Sequence, residues 1–149
     1  MSTEELYRNA LAATNREKAR EKSEHEARQD LQPGDAVIIW KYTSHPHPGL
    51  RRYTVVTRVT GASIFAGGER FVRETGSIYG NRYSHTKLYA ATDKVVEDAR
   101  DADARLEVFK ARRTLANNIE WSVVSPETIL AIHALIEADR ASANPEVKS

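Results

Sequence analysis

Aromatic and cationic side chains are concentrated in one short stretch of the chain, from Gly67 to Tyr89. The rings are Phe71, Tyr79, Tyr83 and Tyr89, and the cations are Arg70, Arg73, Arg82 and Lys87. Aromatic rings stack on nucleic-acid bases, while arginine and lysine bind phosphates. The same residue types are enriched at the centres of protein–protein interfaces. The stretch therefore predicts a binding surface, either for nucleic acid or ribonucleoprotein or for another protein.

Some rings of this region must instead lie in the interior, because a small β-barrel needs large apolar side chains in its core. We assign Trp40, Tyr42 and Phe71 to the core, and Tyr89 is a further core candidate. The predicted nucleic-acid-binding face comprises Arg58, Phe65, Arg70, Arg73, Tyr79, Arg82, Tyr83 and Lys87. The plain alternative is that these residues form cation–π pairs on a solvated β-surface and bind nothing.

Three histidines are the metal-ligand candidates, because a catalytic zinc site takes three protein ligands and keeps an open position. They are His45, His47 and His85. The first two lie in a Pro-rich loop, where exposed histidines are common. We therefore predict no metal and no cofactor.

Motifs that would indicate an enzyme are sparse. The chain has no G-x-S-x-G elbow, no phosphate-binding loop of the G-x-x-x-x-G-K type and no H-E-x-x-H. Glu69 and Glu74 are a possible carboxylate pair, but both flank strand ends near arginines, where charged residues commonly protect an exposed edge. The sequence favours a non-enzymatic protein.

Charge and composition divide the 149 residues into segments. The net charge of +1 combines a nearly neutral start, a middle with 8 Lys/Arg and 3 Asp/Glu over residues 33–92, and an acidic end. The middle also holds 8 of the 11 aromatic residues. We predict a charged N-terminal helix (1–32), a small basic β-barrel (33–92), a helical hairpin (93–141) and a disordered tail (142–149).

The middle segment carries the patterns of short strands. Residues 35–42, 53–61 and 84–91 are predicted strands, because they are rich in β-branched and aromatic residues. Gly67-Gly68 predicts a two-residue hairpin turn that places Phe65 opposite Arg70 and Ile64 opposite Phe71. Several short strands within about 60 residues predict an SH3-like or OB-like barrel in an α+β protein.

Helix signals flank this barrel on both sides. Residues 3–30 lack Gly and Pro and predict a helix with Thr3 as its N-cap. Thr92 is the predicted cap of a second helix. Ser125 followed by Pro126 predicts the start of a third, which we expect to pack against the second as an antiparallel hairpin.

The order of these segments resembles a group of small proteins of tailed phages of actinobacteria. The resemblance is carried by "PGDAVIIW", by a strand reading R-F-x-x-x-T-G that Arg70, Phe71, Thr75 and Gly76 match, and by the acidic helical end. It implies a phage accessory protein acting in the host cytoplasm. It assigns no functional residue, and it leaves open both a nucleic-acid partner and a host enzyme that the protein inhibits or redirects.

Overall fold

The computed structural model describes residues 2–81 and 83–143, and it shows an α+β fold in which helices flank a sheet. The first elements are α1 (Thr3–Gln29), β1 (Ala36–Lys41), β2 (Leu50–Val59), β3 (Ser63–Ala66), β4 (Glu69–Val72) and β5 (Thr86–Ala90). They are followed by α2 (Asp93–Arg113), a π-helical turn (Thr114–Asn118), a 3-10 turn (Trp121–Val123) and α3 (Pro126–Ala143). Arg82 lies outside the described residues, and so does most of the predicted tail, from residue 144 onward.

The strands form one antiparallel sheet in the order β4-β3-β2-β1-β5, which curls into a half-barrel. Isolated bridges from Phe71 to Ile78 and from Ser77 to Lys87 connect the segment after β4 to both edge strands. Alternate residues of the strands face inward, because successive side chains of a strand point to opposite sides. The core cluster consists of Leu31, Val37, Ile39, Val56, Ile64, Ala66, Phe71 and Leu88.

The hairpin between β3 and β4 has the register that the two glycines predict. Phe65 lies opposite Arg70, and Ile64 lies opposite Phe71. Gly67 and Gly68 have φ angles of 59° and 78°, which side chains with a Cβ rarely adopt. The prediction of this turn and its pairing is confirmed, and it sets which side chains reach the outer face.

The second strand differs from its prediction in length. It begins at Leu50 rather than at Tyr53, because Leu50 pairs with Lys41 at the end of β1. A bulge interrupts the pairing with β3 between Val56 and Arg58. Arg58 therefore pairs with Phe65, which places both on the face opposite the core.

Helix α1 is capped by Ser2, so the prediction of Thr3 is wrong by one residue. The Ser2 hydroxyl accepts the Glu5 N–H at 3.2 Å, and the Glu5 carboxylate accepts the Ser2 N–H at 2.9 Å. Residues 2–23 are exposed to solvent, and only the C-terminal end of the helix packs against the barrel. There the Arg28 side chain is buried beside Gly76.

Helix α2 contacts the outer face of the sheet at β2, where Asp103 accepts hydrogen bonds from Arg51 and Tyr53. Ala99, Ala102 and Leu106 recur at intervals of three and four residues and are buried, so they form the apolar side of the helix. The Thr92 hydroxyl accepts the Val95 N–H at 3.4 Å, which confirms the predicted cap.

Contacts divide the chain into two compact units, residues 1–110 and 111–149. In the second unit, the Ser125 hydroxyl accepts the Thr128 N–H at 3.2 Å and Pro126 is the first residue of α3, as predicted. The packing of α2 against α3 stays a prediction. Within residues 2–81 and 83–143, no helix combines the length and the apolarity needed to cross a membrane.

Candidate functional site

Four of the eight predicted binding residues meet in a continuous row on the outer face of the hairpin, which we call the arginine–aromatic strip: Arg58, Phe65, Arg70 and Tyr79. The Arg58 guanidinium carbon lies 4.1 Å from the centre of the Phe65 ring. The Arg70 guanidinium carbon lies 5.7 Å from the same ring and 3.6 Å from the centre of the Tyr79 ring. Cations and rings therefore alternate along the strip.

Strand pairing builds this row. Phe65 lies between Arg58 on β2 and Arg70 on β4, and residues directly opposite each other in an antiparallel pair share a face. Tyr79 is placed beside them because its N–H donates to the Arg70 carbonyl oxygen at 2.9 Å. Arg58, Arg70 and Tyr79 are exposed, and Phe65 is half-buried.

The arginines of the strip keep most of their hydrogen-bonding capacity. Arg70 donates from Nε to the Ser63 hydroxyl at 2.9 Å, which holds its guanidinium in place. Among the described residues, the Arg58 side chain makes no hydrogen bond or ion pair, and its contact is with the Phe65 ring. Both guanidinium groups can therefore donate to a phosphate while they remain stacked.

Two of the other predicted residues, Arg73 and Lys87, have partners elsewhere in the fold. Arg73 donates to the carbonyl oxygens of Thr60, at 3.0 Å, and of Gln29, so it ties the end of α1 to the barrel. Lys87 lies 3.6 Å from the Glu24 carboxylate and 5.1 Å from the centre of the Tyr89 ring. Tyr83 is 81 % exposed, and Arg82 is outside the described residues.

Of the three candidate histidines, His47 is the one whose ring makes contacts that the structure describes. The His47 ring accepts the Gly49 N–H at 3.0 Å and packs edge-on against Phe109, with 4.9 Å between ring centres. Within the described part of the chain, no three His, Asp or Glu side chains are grouped as metal ligands. The fold thus uses His47 to hold the loop before β2 against α2.

Asp103 accepts hydrogen bonds from Arg51 and Tyr53 in an arrangement that the sequence did not predict, and we call these three residues the Asp103 clamp. The Arg51 side chain is fully buried, donates from Nε to Asp103 at 2.5 Å and from Nη1 to the Pro48 carbonyl oxygen at 2.8 Å. The Tyr53 hydroxyl donates to the other oxygen of the same carboxylate. Burial raises the pKa of Asp103, but these hydrogen bonds and the charge of Arg51 outweigh it and lower that pKa overall. The partners lie too far apart in sequence for any local pattern to link them.

The structure also contains a groove between the barrel, α1 and α2, which we call the aromatic groove. Its volume is about 320 Å³, and its walls carry the rings Trp40, Tyr42 and Tyr89 and the carboxylates Glu24, Asp98 and Asp101. Trp40 stacks on Tyr42, with 5.5 Å between ring centres and 14° between ring planes. Tyr89 meets Trp40 edge-on at 6.2 Å.

The two tyrosines of the groove are joined by a hydrogen bond of 2.5 Å between their hydroxyl oxygens. Burial, followed by the hydrogen bond with Tyr42, raises the pKa of Tyr89. Tyr89 is buried, as predicted, but it lines the groove and is not part of the core cluster, whereas Tyr42 is 42 % exposed and is not a core residue. Tyr42 follows the end of β1 at Lys41, where the sheet no longer encloses its side chain.

A buried cation lies behind this groove. Arg28 donates from Nη2 to the Glu74 carbonyl oxygen at 3.1 Å, while its Nε and Nη1 have no partner among the described residues. Burial lowers the pKa of its guanidinium. Arg28 therefore anchors the end of α1 to the loop after β4, although removing its charged group from water is unfavourable in free energy.

No family model, curated protein or solved structure matches this chain. The functional interpretation therefore depends on the residues and their geometry.

Proposed function

We propose that the barrel binds single-stranded nucleic acid through the arginine–aromatic strip. The observation that carries this proposal is the alternation of exposed arginines with the half-buried ring of Phe65 and the exposed ring of Tyr79, in the order Arg58, Phe65, Arg70, Tyr79. Rings supply stacking surfaces for bases, and guanidinium groups supply donors for phosphates. Unpaired bases are needed for stacking, which is why a single strand fits the strip better than a duplex does.

The charge distribution supports the same partner. Residues 33–92 carry 8 Lys/Arg against 3 Asp/Glu, so the barrel attracts a polyanion. We place the curled sheet in the SH3-like or OB-like class, whose members include nucleic-acid-binding barrels, although fold alone does not determine function. The resemblance to phage proteins adds an accessory role in the host cytoplasm to this proposal.

The test is fluorescence anisotropy with labelled DNA and RNA oligonucleotides of about 12 nucleotides, single-stranded and duplex. Arg58→Ala and Arg70→Ala should each weaken binding and lower the slope of log affinity against log salt by about one. Arg112→Ala removes the same charge from an exposed position of α2 and serves as the matched control. A wild-type protein that binds none of these oligonucleotides at low salt would overturn the proposal.

A second candidate is a protein-directed factor that inhibits or redirects a host enzyme. It is favoured by large apolar side chains that α3 exposes: Leu130 at 68 %, Leu135 at 71 % and Ile136 at 50 %. Large apolar side chains that are exposed to solvent contribute to many protein interfaces. Such an interface would depend little on salt, whereas phosphate contacts weaken steeply with it.

A further inference from the structure

The aromatic groove shares no residue with the arginine–aromatic strip, and the proposed function does not use it. The groove has a volume of about 320 Å³ and adjoins a second cavity of about 220 Å³. Glu24, Tyr89 and Asp98 line both cavities. The first volume lies at the lower end of the range for small-molecule sites. The groove is therefore large enough for a small ligand.

We propose that the aromatic groove binds a small organic cation of the alkylammonium class. The face of an aromatic ring attracts a cation through its quadrupole, and the attraction grows when water is excluded. Trp40, Tyr42 and Tyr89 supply such rings on one side. Carboxylates of α1 and α2 on the other side supply the balancing charge.

The chain's own cations show that these rings accept positive charge. The Lys87 ammonium lies 5.1 Å from the centre of the Tyr89 ring and 3.6 Å from the Glu24 carboxylate. The Arg51 guanidinium carbon lies 5.1 Å from the centre of the Trp40 ring. Neither Lys87 nor Arg51 lines the groove, so the ring surfaces that face the groove remain available.

Of the three carboxylates on the groove walls, Glu24 and Asp98 are paired with lysines and Asp101 is not. Arg20 and Arg105 also line the groove, but Arg20 is paired with Glu17 and lies 3.7 Å from Glu24. Among the described residues, the Asp101 side chain makes no hydrogen bond and no ion pair, and neither does that of Arg105, which lies one helical turn further along α2. Asp98 accepts a hydrogen bond from Lys94 at 3.0 Å, so the walls are close to electrical balance, and the three ring faces provide the preference for a cation over an anion.

The probe is choline, and its control is 3,3-dimethylbutan-1-ol, which has the same shape without the charge. Titration of the full chain, followed by amide and indole shifts in NMR spectra, should show saturable binding of choline with shifts at Trp40, Tyr42 and Tyr89. The neutral alcohol should bind at least about tenfold more weakly, since it lacks the cation–π attraction. Equal binding of the two compounds, or no saturable shift with choline, would overturn the proposal.

Substitutions at the groove distinguish the loss of an aromatic ring from damage to the fold. Tyr42→Leu should weaken choline binding by about 5- to 30-fold, while Tyr42→Phe, which keeps the ring, should restore most of the affinity. Asp101→Asn should weaken it by about two- to fivefold, and Glu97→Gln, the same charge change on α2 outside the groove, should have no effect. If Tyr42→Leu retains the wild-type circular dichroism spectrum and binds choline as the wild type does, the groove is not the site.

Two sources of the ammonium group can be distinguished in the same assay. A peptide bearing trimethyllysine that binds more tightly than choline would assign the group to a modified side chain. Tighter binding of choline would assign it to a free small molecule. Failure of both to bind would contradict the proposal and would leave the nucleic-acid measurements unaffected.

Discussion

Individual arginines of the barrel have different roles, although their side chains are chemically alike. Arg51 is buried in the clamp with Asp103, and Arg73 joins the end of α1 to the barrel through backbone carbonyl groups. Arg58 lies over the half-buried Phe65 ring, and Arg70 lies over the exposed Tyr79 ring. A guanidinium with its donors already occupied cannot bind a phosphate without losing those bonds. We therefore expect nucleic-acid binding to depend on Arg58 and Arg70 rather than on Arg73.

At Tyr79, the ring rather than the hydroxyl should determine affinity for nucleic acid. Tyr79→Ala removes an exposed ring that stacks on Arg70, and it should weaken binding of a single-stranded oligonucleotide by about 1–3 kcal/mol. Tyr79→Phe keeps the ring and should bind within about twofold of the wild type. Anisotropy titrations measure both, and equal losses for the two variants would show that stacking is not the contribution of Tyr79.

The Asp103 clamp predicts an acid-sensitive contribution to stability. Because the pKa of Asp103 in the folded chain lies below the ordinary value of 3.8, its contribution is present above that value and is lost as pH falls through the folded pKa. Asp103→Asn should lower the free energy of unfolding by about 1 kcal/mol at pH 7, a modest value because the carboxylate is partly exposed. The difference from the wild type should shrink below pH 3.8.

Urea denaturation at several pH values measures this effect. Asp139→Asn is the matched control, since Asp139 is exposed on α3 and makes no ion pair among the described residues. A stability difference for Asp103→Asn that stays constant from neutral to acidic pH would contradict the assignment.

At the scale of elements, the β3–β4 hairpin sets the outer face of the barrel. Its turn requires positive φ at Gly68, and a Cβ there would meet no atom within 4 Å. Gly68→Val should therefore lower the free energy of unfolding by more than about 1 kcal/mol, through backbone strain alone. Gly61→Val is the control, because Gly61 has open space and no positive φ. Similar melting temperatures for Gly68→Val and the wild type would show that the turn does not require a positive φ at Gly68.

Helix α1 should be the least stable element of the free protein. Residues 2–23 are exposed, so they gain little from burial, and isolated helices are marginal in water. Amide exchange should be fast over residues 16–23 and slower towards Arg28, which is buried. Slow exchange over residues 16–23 in the free monomer would contradict this. Slow exchange that appears only in a complex would identify a binding surface.

At the scale of the whole molecule, the two candidate functions use different parts of the chain. The strip belongs to the unit of residues 1–110, and the exposed apolar residues of α3 belong to the unit of residues 111–149. Affinity purification with and without nuclease should distinguish them, because partners held through nucleic acid are lost on digestion. We expect nuclease and raised salt to release the partners of the wild type, and Arg58→Ala with Arg70→Ala to prevent their capture. Partners that survive both treatments would favour the protein-directed function.

Local sequence patterns were sufficient for the elements whose geometry depends on neighbouring residues. Gly67-Gly68 predicted the hairpin and its register, because positive φ and alternation along a strand are local properties. Thr92 and Ser125 predicted helix starts for the same reason. The α+β class and the placement of Phe65 beside Arg70 also followed from the sequence.

The tertiary structure alone decided which of the predicted side chains are available to a ligand. Arg73 and Lys87 look like surface cations in the sequence, yet they are bound by Gln29 and Glu24 of α1. Arg51 meets Asp103, and Tyr42 meets Tyr89 at the groove, across long separations in the chain. Such pairs form only when strands and helices pack. A local sequence pattern relates residues that are a few positions apart, whereas a tertiary contact joins residues that are distant in the chain.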